Sequence, residues 1–139
     1  MIAIEGTLPR AFGHTRKELQ AAAAAFAQKS SRRIRTPFKD ITVILQDDAG
    51  SDAVHHGIMG VKGATDVITQ RYEPIAGEAP GVYGEIYVNT DRALALGGWK
   101  ELLLYVAHGM DHLSGADDFT EHDYRAMRRR ELGWIAALK

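Results

Sequence analysis

The chain contains no cysteine. That excludes disulfides and thiolate zinc sites, so a zinc ion held here must rely on histidine and carboxylate. Long apolar runs are also missing: none approaches the roughly 20 residues that a membrane-spanning helix needs. The N-terminus lacks a basic segment followed by an apolar one, the pattern of a secretory signal. No membrane partner is expected, and the expected compartment is cytoplasmic. Charge of one sign is scarce as well, since 17 Lys and Arg oppose 18 Asp and Glu for a net charge of -1. A nucleic-acid partner would therefore have to be met by a local basic patch. What remains is ordinary for a globular protein: 139 residues, 45% hydrophobic and 25% charged. That length reads as a single domain over residues 1–139 with a proper core. No internal repeat is visible.

The elements follow from local signals. Met1 to Glu5 alternates weakly and reads as a short strand. Thr15 and Glu18 are spaced as a capping box, which opens a helix over Arg16 to Lys29 with Leu19, Ala22, Ala23 and Phe26 as its inner stripe. Arg32, Arg33 and Arg35 then read as a solvated connector. Asp40 to Gln46 is β-branched and apolar, as in a buried strand. Asp47 and Asp48 suit a helix N-cap better than a metal site, and His55 and His56 read as polar residues at a helix end. Thr65 to Tyr72 is a more polar strand, at an edge or lining a cleft. Residues 73–81 hold Pro74, Gly77, Pro80 and Gly81 and form a loop. Tyr83 to Asn89 is the next strand, followed by a short helix capped by Thr90 or Asp91. Thr120 caps a last helix over Glu121 to Leu138, with Tyr124, Met127, Leu132, Ile135 and Leu138 as apolar positions. Its run Arg125, Arg128, Arg129 and Arg130 reads as a solvated face.

One stretch carries chemistry. An apolar helix starts near Trp99 and holds His108 and His112. Four residues apart, the two imidazoles lie on one helix face, one turn apart. That is a common way to present two nitrogen ligands to a zinc-like ion. Gly115 ends the helix, because glycine readily takes a left-handed conformation. The chain can then fold back and bring Asp117 or Asp118 to the same point. Metallopeptidases with HExxH carry a glutamate after the first histidine as general base. Here that position is Gly109, which argues against a peptidase.

These residues resemble the signature of the YbeY endoribonucleases, also called rRNA maturation factors. That family's motif spaces three histidines as H-x3-H-x5-H around one zinc. The first two fall on His108 and His112 and the third on Asp118, itself a legitimate zinc ligand. His122 is a rival third ligand. Thr65-Asp66-Val67 is similar to the family's T-D-V segment, Gly84-Glu85-Ile86 to its G-D-I, and Met127 with Glu131 to its M-x-x-x-E. Order and spacing agree from about Asp40 to the end. The family's arginine, six residues before the T-D-V threonine, falls on Met59, which carries no charge. Lys62 and Arg71 are the candidate phosphate contacts in its place. Asp111 and Asp117 lie close enough in sequence to orient an imidazole or take a proton, and no general base is assigned.

The resemblance implies an α/β (α+β) sandwich with a mixed sheet of about four strands and helices on its faces. It implies one Zn(2+) per chain on His108, His112 and Asp118. It implies a metal-dependent endoribonuclease directed at single strands, acting in rRNA maturation and ribosome quality control, with rRNA and the ribosome as partners. Met59 and Asp118 leave one alternative: a catalytically impaired, metal-containing RNA- or ribosome-binding protein on the same fold.

Overall fold

A computed structural model describes residues 1–61 and 63–138. Four strands, β1 (Ile2–Glu5), β2 (Phe38–Gln46), β3 (Val67–Tyr72) and β4 (Val82–Asn89), form one sheet in the order β1-β2-β4-β3. β1, β2 and β4 run parallel, and β3 pairs antiparallel with β4 at the edge. The mixed four-stranded sheet and the polar edge strand are as expected. Among the described residues, five α-helices complete the fold: α1 (Arg16–Ile34), α2 (Asp48–Met59), α3 (Thr90–Leu96), α4 (Trp99–Leu113) and α5 (Glu121–Ala136). Among the described residues, no helix is long and apolar enough to cross a membrane.

The period-two pattern of the strands sets the core. Ile41, Val43 and Leu45 of β2 and Val82, Ile86 and Val88 of β4 are buried, and they project toward α1 and α4. Alternate residues Thr42, Ile44, Tyr83, Glu85 and Tyr87 are half-buried on the other face. α1 brings Leu19, Ala22, Ala23, Phe26 and Ala27 inward, and its alanines let the helix lie close. α4 is the central helix, packed against α1, α3, α5, β3 and β4. Ten of its residues are buried, including Leu102, Val106 and Met110, so its two half-buried histidines emerge from a largely buried helix.

Several ends differ from the sequence expectation. α1 starts at the expected capping box, where Thr15 accepts from the Glu18 N–H. It continues past Lys29 to Ile34, because neither glycine nor proline interrupts it before Pro37. Arg32 and Arg33 are thus helical, and Arg35 closes the helix in the left-handed region at φ 57°. α3 is capped by Asn89, which accepts from the Arg92 N–H at 3.1 Å, rather than by Thr90 or Asp91. In α5, Met127, Glu131 and Trp134 are the buried residues, while Tyr124 and Leu132 are exposed. The inward stripe follows i, i+4 and i+7 through a glutamate, which an apolar pattern cannot reveal.

Candidate metal centre

α4 delivers His108 and His112 side by side, with ring centroids 4.4 Å apart and planes at 82°. Each Nδ1 meets an acceptor: Glu131 Oε2 at 2.8 Å for His108, and the Ala116 carbonyl at 3.0 Å for His112. The Ala116 carbonyl can only accept, so His112 Nδ1 donates to it, and both rings turn Nε2 toward the same point. The two Nε2 atoms lie only 3.0 Å apart. Gly115, at φ +97°, turns the chain after the helix. Asp118 Oδ2 then comes to 3.4 Å from His108 Nε2 and 3.6 Å from His112 Nε2. Two imidazole nitrogens and a carboxylate oxygen thus converge on one point, an arrangement that suits a bound cation. A tetrahedral ion with zinc–nitrogen bonds of about 2.0–2.1 Å would separate its ligand atoms by about 3.3 Å. The observed triangle matches that size. His108, His112 and Asp118 could hold a metal ion, their donor atoms all lying within 4.8 Å of one another.

A buried polar layer supports this triangle. Glu131 reaches in from α5 and is fully buried. Burial pushes its carboxyl up, and the hydrogen bond and charge of His108 pull it part of the way back. Burial opposes a charged His108, but Glu131 and Asp118 outweigh it and hold that imidazole above its ordinary value. A carboxylate on Nδ1 fixes the ring and makes Nε2 a better ligand. Gly109 explains how close the helix lies to the sheet. A Cβ there would meet Ile86 Cγ2 at 2.4 Å, so the glutamate of an HExxH peptidase has no room.

The triangle opens into a cleft of about 400 Å³. It is lined by Asp66 and residues 67–69 of β3, Leu104 and Tyr105 of α4, Tyr124 and Arg128 of α5, and Met59. Burial first, then the charges of Glu101 and Asp66, push the Tyr105 hydroxyl up to about 12. It stays protonated, as a donor.

The other candidates from the sequence lie elsewhere. His122 is exposed in the first turn of α5 and is not in the metal-competent group. Asp117 is exposed and accepts from the Phe119 N–H. Asp111 is fully buried, but its carboxylate faces Arg130 and Arg33 rather than an imidazole. Arg130, half-buried, is therefore a structural partner rather than part of a solvated face, and Arg33, though exposed as expected, reaches the same carboxylate. Arg71 donates to the Leu113 carbonyl at 3.1 Å and does not line the cleft. Lys62 lies outside the described residues. Asp47 caps α2, as expected, and His55 Nδ1 lies 2.9 Å from the Gly63 carbonyl. The residue that spacing alone missed is Glu131, whose only signal is the M-x-x-x-E likeness.

The model of the family described as Endoribonuclease YbeY matches residues 10–139. The chain belongs to the YbeY family. Endoribonuclease YbeY of Rhodopirellula baltica is 36% identical over 128 residues, covering 86% of this chain and 60% of that protein. The YbeY of Thermus thermophilus is 36% identical over 98 residues, covering 66% of this chain and 70% of its own length. The matched region thus spans less than two thirds of the first relative and somewhat more of the second. The fold is also similar to the solution structure of a Thermotoga maritima protein. The TM-score is 0.60 at 25% identity, covering 97% of this chain and 87% of that one. The expected fold class agrees with the structure, in which His108, His112 and Asp118 could hold a metal ion.

Proposed function

We propose that this chain is a zinc-dependent endoribonuclease that cuts single-stranded RNA in rRNA maturation, in the cytoplasm and in contact with the ribosome. His108, His112 and Asp118 would be the zinc ligands. The observation that carries this reading is the convergence of His108 Nε2, His112 Nε2 and Asp118 Oδ2 within 3.0–3.6 Å of one another, with each Nδ1 turned to a partner of its own. Two imidazoles and one carboxylate suit zinc, and a three-ligand set leaves a position open. Bound there, the ion supplies the Lewis acidity that hydrolysis needs near neutral pH. The chain's own residues do the rest. Glu131 and the Ala116 carbonyl fix the two rings, Asp118 adds charge, and the cleft beside them admits a strand. The relatives, each named an endoribonuclease, favour cleavage over the binding-only alternative.

The test is zinc content and cleavage of a labelled single-stranded RNA, for wild type and Asp118→Ala. The expected result is about one zinc per chain in the wild type, with loss of both metal and cleavage in the variant. A wild type that takes up no zinc when the metal is added back would overturn the reading.

A further inference from the structure

We propose that Arg128 is the substrate-phosphate contact of this cleft, its guanidinium binding the non-bridging oxygens of the phosphodiester held beside His108, His112 and Asp118. The inference rests on the hydrolase reading and names the residue that meets the substrate's charge.

A phosphodiester is an anion, and hydrolysis adds negative charge to its phosphoryl oxygens in the transition state. The cleft is poorly prepared for that. Its other charged lining residues are Asp66 and Asp118, both acidic, and Met59 is neutral. Among the described residues that line the cleft, Arg128 alone carries a permanent positive charge. Arg33, Arg71, Arg125 and Arg130 are committed elsewhere. Arg130 places Nε and Nη2 on the Asp111 carboxylate at 2.9–3.1 Å. Arg33 pairs with the same carboxylate, Arg71 with the Leu113 carbonyl and Arg125 with Glu121.

Arg128 is arranged differently. A guanidinium has five N–H donors, and here one hydrogen bond is made, from Nη2 to the Tyr124 hydroxyl at 3.2 Å. Its Nε is buried with no hydrogen-bond partner, 3.8 Å from the Glu131 carboxylate. The group lies over the Tyr124 ring, 5.4 Å from its centre. The ring holds the plane in place by a cation–π contact and leaves most donors free. A structural arginine spends its fork, as Arg130 does. Arg128 lines the same cleft as the metal-competent triangle with Nη1 and part of Nη2 unspent, which suits a ligand that arrives with paired oxygens.

The competing role is a counter-ion for buried Glu131, and the experiment separates the two. Zinc-loaded wild type, Arg128→Gln and Arg128→Lys would be compared in three readouts. These are zinc per chain, the salt dependence of binding to a single-stranded 2′-deoxy oligonucleotide that is not cut, and kcat/KM on RNA. In Arg128→Gln, zinc content should stay at the wild-type level. The slope of log affinity against log salt should become shallower by about 0.7, one phosphate contact on a single strand. The kcat/KM should fall by about 100- to 1,000-fold. Arg128→Lys should keep the slope and recover part of the rate, because a point charge replaces a fork. An unchanged salt slope in Arg128→Gln overturns the proposal, whether cleavage is unchanged or falls together with zinc. A zinc-loaded wild type that binds the oligonucleotide but cuts no RNA would fail the hydrolase reading alone, and the slopes would still decide Arg128.

Discussion

Glu131 shows how much one buried side chain can set. It is fully enclosed, yet its only hydrogen bond within reach is to His108 Nδ1, and its other oxygen has none. A carboxylate is seldom buried at that cost without a task. Its task here is to hold one imidazole in the tautomer and orientation that bare Nε2 requires. Glu131→Gln keeps the shape and an acceptor but removes the charge. Zinc affinity should drop about 10- to 100-fold, while the circular dichroism spectrum stays that of the wild type. Competition with a chromophoric chelator measures the first quantity. An unchanged affinity would mean that orientation, not charge, is the contribution of Glu131. At this scale the sequence was legible where chemistry is local. His108 and His112 are one turn apart, Gly115 announces the turn, and Asp118 follows within reach. Glu131 was not legible by spacing, because 23 residues separate it from His108 and a glutamate in a basic helix looks solvated.

At the scale of elements, three helices are fastened by one carboxylate. Asp111 of α4 receives two N–H groups from Arg130 of α5 and pairs with Arg33 of α1 at 3.4 Å. It sits one residue before His112, so the same ion cluster that joins the helices also fixes the register of the site. Removing one partner of a buried ion pair costs about 3–5 kcal/mol. Arg33 and Arg130 are 37% and 25% exposed and would regain water, so Asp111→Ala should cost about 3 kcal/mol, the low end of that range. Urea unfolding checks this, with the midpoint falling at constant m-value. A loss below about 1 kcal/mol would show that the cluster is no stronger than a surface ion pair. Capping boxes and hydrophobic periods made the helix starts readable. The arginines' partners were not, because their separations of 78 and 19 residues leave no trace in a local pattern, and a charge run reads as solvated by default.

For the whole molecule, the sheet order β1-β2-β4-β3 could not be read from strand patterns, since pairing partners are chosen by tertiary packing. The strands themselves could. What this topology achieves is to carry α4 across β3 and β4, so that its C-terminal turn, the segment through Asp118 and α5 meet at one point. The candidate metal ligands and their supports therefore come from two helices and the turn between them. An ion bound to that point would bind the native chain far better than the unfolded one, and its binding energy would add to fold stability. At free zinc a thousandfold above the dissociation constant, the gain is about 4 kcal/mol. For a chain of this length that raises the melting temperature by roughly 10 °C. Thermal unfolding with saturating zinc and with chelator should show that difference in the wild type. Asp118→Ala, which removes one of three donors, should show little of it. If chelation leaves the wild-type transition where zinc puts it, the triangle of His108, His112 and Asp118 contributes nothing to the cohesion of α4 and α5, and the buried Glu131 would have to be explained by the apo fold alone.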